Sequence, residues 1–189
     1  MRIISGSFKG KKILEPKDIK TRPLKDLTKE SIFNILNHSN KFDIKLENSN
    51  ILDLFSGVGS FGIESLSRGA RGVVFIENYQ NVLSILKKNI ESLKLFEKSK
   101  ILEKDIYNFK TLSELNQKFE VIFLDPPYKD NKIKKLLINL KESKVLNDDG
   151  IIILHRNKKD NLEFPEWVNI LEEKKYGISK IFFFNFKLQ

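Results

Sequence analysis

Two short stretches of the chain carry side chains suited to chemistry. The first is LDPPY at residues 124–128, where an apolar run ends in Asp125, Pro126, Pro127 and Tyr128. Prolines contribute no backbone N–H and cannot continue a central strand, and a carboxylate is costly to bury. Such a turn presents acceptors, the Asp125 carboxylate and the Pro126 carbonyl. Acceptors suit a group with hydrogens to give, such as the exocyclic amine of a nucleobase, and Tyr128 can stack on the base for about 1–3 kcal/mol. An aryl amine is a poor nucleophile because its lone pair is delocalised into the ring. Two acceptors holding its hydrogens favour a pyramidal nitrogen and aim the lone pair at an electrophile, and Asp125 can help remove the departing proton. The structural alternative is a rigid Pro-Pro turn with a surface tyrosine.

The second stretch is LDLFSGVGSFGIESLSRGA, residues 52–70. A strand ends near Asp53, a glycine turn follows, and a helix begins near Ser60, so a ligand can approach the backbone and the helix's free N–H groups. Gly57, Gly59 and Gly62 spell GxGxxG, and Glu77 closes the next apolar run, where an acid can grip ribose hydroxyls. The motif invites a dinucleotide, yet Asp53 just ahead of the turn would repel a pyrophosphate. A carboxylate suits the sulfonium and ammonium charges of S-adenosylmethionine instead. Asp105, which ends the third strand-like run KILEKD, can accept from an adenine amine or cap the segment that follows. For the glycines, the plain alternative is a tight turn that only permits packing.

These residues need a scaffold that brings them together. From residue 50 onward, the short apolar runs ILDLF, GVVFIE, KILEKD, VIFLD and GIIIL alternate with helical patterns, which predicts a parallel sheet with helices on both faces. Val82, Leu83, Ile85, Leu86, Ile90 and Leu93 predict an amphipathic helix over 79–94. Asp148, Asp149 and Gly150 read as the turn into GIIIL. After Trp167 two strand-like runs, VNILEEKKYG and ISKIFFFNF, leave no room for a helix and predict an antiparallel hairpin at the sheet edge. Ahead of the core, residues 1–16 read as a short hairpin and TKESIFNILNH as a helix with Ile32, Phe33, Ile35 and Leu36 inward. In a parallel sheet ligands meet the C-terminal strand ends, so the glycine turn and LDPPY are expected to face one another.

Composition bounds the partners. The 189 residues and 40% hydrophobic content suit one domain, an N-terminal extension over 1–49 leading into a core over 50–189. Lys+Arg outnumber Asp+Glu by 34 to 25, a net charge of +9 that suggests a polyanionic partner. Arg2, Lys9, Lys11, Lys12, Lys20, Arg22 and Lys25 crowd the N-terminal segment around Phe8, where phosphate contact and a merely solvated face both fit. KIKKLLINLKESK, by contrast, reads as an ordinary surface helix. No apolar stretch approaches the roughly 20 residues that span a bilayer, and the N-terminus lacks a signal-peptide core, so a soluble cytoplasmic protein with no membrane partner is expected. Zero cysteines and two histidines argue against disulfides and metal sites.

The chain also resembles a known family. Residues 52–70 resemble motif I of class I methyltransferases, and IFLDPPY resembles motif IV of the amino-group methyltransferases. RIISGSFKGKKI, TRPLKDLTKESIFNIL and KKYGISKIFFF are similar in order and spacing to the bacterial 16S rRNA (guanine(966)-N2)-methyltransferases. That resemblance implies a Rossmann-like α/β fold, a seven-stranded mostly parallel sheet with an antiparallel C-terminal edge hairpin and a short N-terminal hairpin/helix extension. It implies that the extension over 1–49 contacts RNA and that the core over 50–189 is catalytic, with S-adenosylmethionine as methyl donor, and 16S rRNA in the 30S subunit or its assembly intermediate as partner of a monomer. By matching position it puts Asp53, Phe55, Gly57, Gly59, Glu77 and Asp105 around the cofactor, and Asp125 to Tyr128 around the base. Arg2, Lys9, Lys11, Lys12, Arg22 and Lys29 become the RNA contacts. Leu24, Lys29 and His155 depart from the family pattern; His155 stands where an acid is common and reads as a partly buried strand-end histidine without a catalytic role.

Three other functions compete. A DNA adenine-N6 methyltransferase shares the amine chemistry, but the chain leaves little room for a DNA target-recognition domain. A nucleotide-binding dehydrogenase conflicts with Asp53 and with the lack of a second substrate domain. A non-catalytic RNA-binding protein on the same fold conflicts with an intact LDPPY beside a cofactor loop.

Overall fold

The computed structural model describes residues 1–16, 24–127 and 130–187. The apolar runs become β1 (Asn50–Leu54), β2 (Gly72–Ile76), β3 (Ser99–Leu102), β4 (Phe119–Leu124) and β5 (Leu146–Asn157), and the tail supplies β6 (Val168–Tyr176) and β7 (Ser179–Phe186). They form one sheet in the order β3-β2-β1-β4-β5-β7-β6. The first five strands pair in parallel, while β7 lies antiparallel between β5 and β6. Parallel strands covered on both faces must be apolar at nearly every position, which is why ILDLF and VIFLD show no alternation.

The strand period of two sorts those residues into two cores. Ile51, Phe75, Phe123, Ile153 and Phe183 face one core, covered by α1 (Asp26–His38), α2 (Ser60–Ser67) and α3 (Gln80–Ser92). Leu52, Val74, Ile122, Ile152 and Phe184 face the other, covered by α4 (Phe109–Ser113) and α5 (Ile133–Ser143). On the first face Phe33, Phe61 and Phe123 stack in series, with centroids 5.0 and 4.0 Å apart. This aromatic column ties α1 and α2 to β4 two residues before Asp125.

Two expectations about strand bounds need correction, at β3 and β5, whereas the N-terminal hairpin forms. Beside the Arg2–Lys12 bridge, Ile3 N–H donates to the Lys11 carbonyl at 2.9 Å, Gly10 N–H to the Ile3 carbonyl at 2.8 Å and Ile13 N–H to the Met1 carbonyl at 3.1 Å, and the segment bonds to helices as well. Ile4 and Ser5 N–H donate to the Glu64 carboxylate at 2.8 and 3.0 Å, Phe8 N–H to Ser67 Oγ at 3.0 Å, and Leu14 N–H to Asn89 Oδ1 at 2.8 Å. Gly6 (φ 83°) makes this docking possible, since a Cβ there would lie 1.8 Å from the Ser67 carbonyl oxygen. β3 ends at Leu102, three residues short of Asp105. β5 begins at Leu146, so Asp148–Gly150 lie within it, and it runs past Leu154 to Asn157 because β7 pairs with it that far.

Glu64 is fully buried in α2 and collects the donors around it. Besides the two N–H groups, Lys29 Nζ lies 3.4 Å from Oε2 and Arg68 Nε 2.8 Å from Oε1. Lys29 is therefore no surface cation for RNA. It is completely buried, its Nζ donates to the Arg2 carbonyl at 2.9 Å, and burial pulls its pKa below the ordinary lysine value against the opposing pull of Glu64. Breaking a buried pair from one side costs about 3–5 kcal/mol. Glu64→Leu should lose stability on that scale in urea unfolding and Arg68→Leu distinctly less, because the Arg68 side chain is 12% exposed and Lys29 remains as a partner. Equal losses would show that Glu64 is not the hub.

Candidate active site

Asp53, Glu77, Asp125 and His155 follow the register of neighbouring parallel strands to one end and one face of the sheet. Asp53 pairs with Phe75 on β2 and with Phe123 on β4, and Phe123 with Ile153 on β5. Two residues further along their strands, Glu77, Asp125 and His155 come up on that same face. The expectation that the glycine turn and LDPPY share an edge is met by this register.

The acids build the turn between them. Asp53 is 1% exposed, and its Oδ2 accepts the Gly62 N–H at 2.9 Å, so it satisfies a first-turn donor of α2 from outside the helix. Glu77 accepts the Gly57 N–H at 2.8 Å with one oxygen and the Asn78 and Tyr79 N–H groups at 2.9 Å with the other. Between the two acids the chain enters the left-handed region at Phe55 (φ 58°), Gly57 (φ 55°) and Gly59 (φ 85°). Phe55 pays the usual penalty for a side chain there, about 1–2 kcal/mol. The glycines have separate tasks: a Cβ on Gly57 would meet nothing closer than 4.0 Å, leaving open space above the turn, whereas on Gly62 it would lie 2.3 Å from the Phe75 ring. Gly57 leaves room for a ligand, and Gly62 lets α2 pack on β2.

Phe55 packs at 5.8 Å, tilted, against Tyr107, a residue that sequence reasoning passed over. The Tyr107 hydroxyl donates to the Asp130 carboxylate; burial, then Asp130, push its pKa up, so it stays a protonated donor. An aromatic two residues beyond a strand-end acid was the available signal. Asp105 is exposed beyond β3, and its Oδ1 accepts the Tyr107 N–H at 3.0 Å while its carbonyl accepts from Thr111 Oγ1 at 2.7 Å. It thus shapes the turn into α4, whose cap is Asn108.

Beyond β4, Asp125 is partly exposed, Pro126 buried and Pro127 exposed. The Pro127 carbonyl accepts from Arg156 Nη1 at 3.0 Å, and the Asp130 carbonyl from Nη2 at 3.2 Å. Arg156 is itself buried and paired with Asp160 at 2.9 Å. Tyr128 and Arg22 lie outside the described residues. Asp125 Oδ1 sits 2.8 Å from His155 Nδ1.

The basic segment is spread along α2. The Arg2 carbonyl and Ser60 Oγ share the Lys29 ammonium, so the Arg2–Lys12 bridge lies beside the first turn of α2, whereas Ser7 and Phe8 bond to Ser67 at its last. Arg2, Lys9, Lys11 and Lys12 are all exposed. Lys11 Nζ lies 4.9 Å over the Phe8 ring. Arg2 and Lys12 are brought near the turn, and the Phe8–Lys9 end is carried away from it.

The donor and acceptor set describes the ligand that fits. The turn's edge is lined by carboxylates, which suit hydroxyls and cationic groups and oppose a phosphate. Asp53's pKa is raised well above the ordinary value, burial being the main cause, with the Asp125 and Glu77 charges adding and the Gly62 N–H opposing. Because the folded-state value lies above the unfolded one of about 3.9, the stability this group contributes is complete below that value and is lost as pH rises through the folded one. Asp53→Asn keeps an acceptor for Gly62 and removes the charge. Between about pH 4 and about pH 7 its Tm should therefore drift downward less than that of the wild type; parallel drifts in calorimetry would exclude the buried charge as the cause.

The model of a family described as Conserved hypothetical protein 95 matches residues 1–185. A relative from Bacillus subtilis (strain 168), described as a proposed rRNA methyltransferase, is 34% identical over 185 residues, covering 96% of each chain. "Ribosomal RNA small subunit methyltransferase D" of Haemophilus influenzae is 34% identical over 179 residues, covering 94% of this chain and 90% of that one. A solved structure from Escherichia coli, described as a proposed methyltransferase, superposes with a TM-score of 0.84 at 25% identity, covering 100% of this chain and 99% of that one.

Proposed function

The chain belongs to the Conserved hypothetical protein 95 family, and on that footing we propose that it methylates the exocyclic N2 amine of a guanine in 16S rRNA of the small ribosomal subunit, with S-adenosylmethionine as donor. The observation that carries the reading is the meeting, on one face and edge of the sheet, of an open glycine turn held by Asp53 and Glu77 with the Asp125 carboxylate. Relatives named for small-subunit rRNA methylation support the RNA class.

S-adenosylmethionine, when bound, supplies a methyl group on a positive sulfonium. Gly57 leaves the space for it, Asp53 and Glu77 hold the turn in shape by accepting the Gly62 and Gly57 N–H groups, and Phe55 and Tyr107 offer apolar surface for its adenine. Asp125 and the Pro126 carbonyl accept the hydrogens of the guanine amine, turn its lone pair toward the methyl carbon, and Asp125 receives the proton that leaves. Arg2 and Lys12, beside the first turn of α2, contact RNA phosphates near the base, and Lys9 and Lys11 extend that contact.

The decisive test is transfer of a labelled methyl group onto 30S subunits lacking the modification, alongside naked 16S RNA and duplex DNA. Label on one guanine N2 of 16S rRNA is expected, and label on DNA adenine would overturn the reading. Asp125→Ala should lose transfer by 100-fold or more, on the scale of about 10²–10⁴ for a positioned acid–base group, while calorimetry still detects the cofactor. Replacing Lys9, Lys11 and Lys12 with Ala should flatten the salt dependence of RNA binding by about one unit of log–log slope per lysine. An unchanged slope would take these residues out of the RNA contact.

A further inference from the structure

His155 is held on both sides. Its Nδ1 lies 2.8 Å from Asp125 Oδ1 and its Nε2 2.9 Å from Ser179 Oγ. The ring is buried, with 8% of the side chain exposed, against 22% for Asp125. Sheet geometry brings the three together: His155 pairs with Ile181, Ser179 lies two residues before Ile181 on the same face of β7, and Asp125 extends β4 beside β5. Charged groups nearby among the described residues include Asp125 itself, Asp53, whose pKa burial and then the Asp125 charge raise, and Arg156, the next residue of β5, whose guanidinium is directed to the Pro127 and Asp130 carbonyls.

We propose that His155 is a positioning residue for Asp125: it fixes one carboxylate oxygen with the Nδ1 hydrogen bond and leaves the other turned toward the substrate amine. This rests on the reading of Asp125 as the acceptor for that amine. An ionised carboxylate can only accept, so Nδ1 carries the hydrogen, and in the neutral ring Nε2 accepts from the Ser179 hydroxyl. A carboxylate at a strand end is otherwise free to rotate about its terminal torsion, which is broad and roughly two-fold. The imidazole removes that freedom, and Ser179 removes the ring's own. The antiparallel strand β7, which contributes nothing to the glycine turn, thereby becomes part of the reacting edge.

Asparagine and glutamine separate the two bonds. The Asn amide nitrogen falls close to Nδ1 and can still donate to Asp125, whereas the Gln amide extends toward the Nε2 position and Ser179. His155→Gln and His155→Leu should lower kcat by about 10- to 100-fold, the scale of a misplaced catalytic group, with the Kd for S-adenosylmethionine unchanged. His155→Asn should recover at least half of that loss on a logarithmic scale. Equal kcat for Asn and Gln, or wild-type kcat in Leu, would overturn the proposal. If Leu unfolds, the Asn and Gln pair, matched for Tm, decides.

A second measurement does not depend on catalysis. The chain has two histidines, so ¹⁵N-resolved ring spectra assign His155 by comparison with His38→Gln. A protonated Nδ1 that shifts in Asp125→Ala is expected, and a ring protonated at Nε2 alone would overturn the proposal. Should the wild type transfer no methyl group to RNA, the proposed substrate fails while this spectrum still reports on the pair.

Discussion

Carboxylates at the ends of buried parallel strands must find donors, and this requirement organises the functional edge. Asp53 takes the Gly62 N–H and Glu77 the Gly57 N–H, so two acids from adjacent strands close on the ends of one turn. A turn gripped in this way tolerates three left-handed residues within five positions, Phe55 among them. The same bonds spend donors that a phosphate would need, which separates this edge chemically from a dinucleotide site although its glycines have the same spacing.

A second buried acid does comparable work at the back of α2. Glu64 accepts two backbone N–H groups of the N-terminal segment and pairs with Lys29 and Arg68. Isolated charges at that depth would be costly, but their mutual satisfaction fastens residues 2–8 along α2. The outcome places Arg2 beside the helix's first turn, and Asn89 adds a further tie by bonding both Leu14 and the Val58 carbonyl of the glycine turn. The basic segment and the glycine turn are thus mechanically linked through polar side chains inside the core.

The acceptor edge is supported from β5 in a related manner. His155 reaches Asp125, and Arg156 reaches the carbonyls of Pro127 and Asp130. Consecutive strand residues point to opposite faces, so one strand end buttresses the turn from both sides. Prolines cannot anchor a turn through backbone donors. Side chains from the neighbouring strand take over that task.

Much of the scaffold was legible in the residues alone. Continuous apolar runs gave parallel strands, helical spacing gave α1, α3 and α5, and the closing runs gave the β6–β7 hairpin, because burial and periodicity are properties of local sequence. The glycine turn and LDPPY were legible for the same reason: backbone conformation and missing donors are written into Gly and Pro. Lys29, Glu64, Tyr107 and the pairing of His155 with Asp125 were not, since each depends on partners 23 to 60 positions away, and a lysine in an amphipathic helix reads as solvated until the fold seals it in. Residue types determined which acceptors and donors the sequence could offer; only the three-dimensional register of strands and helices decided which charged side chains stay at the open edge and which are buried to hold the others in place.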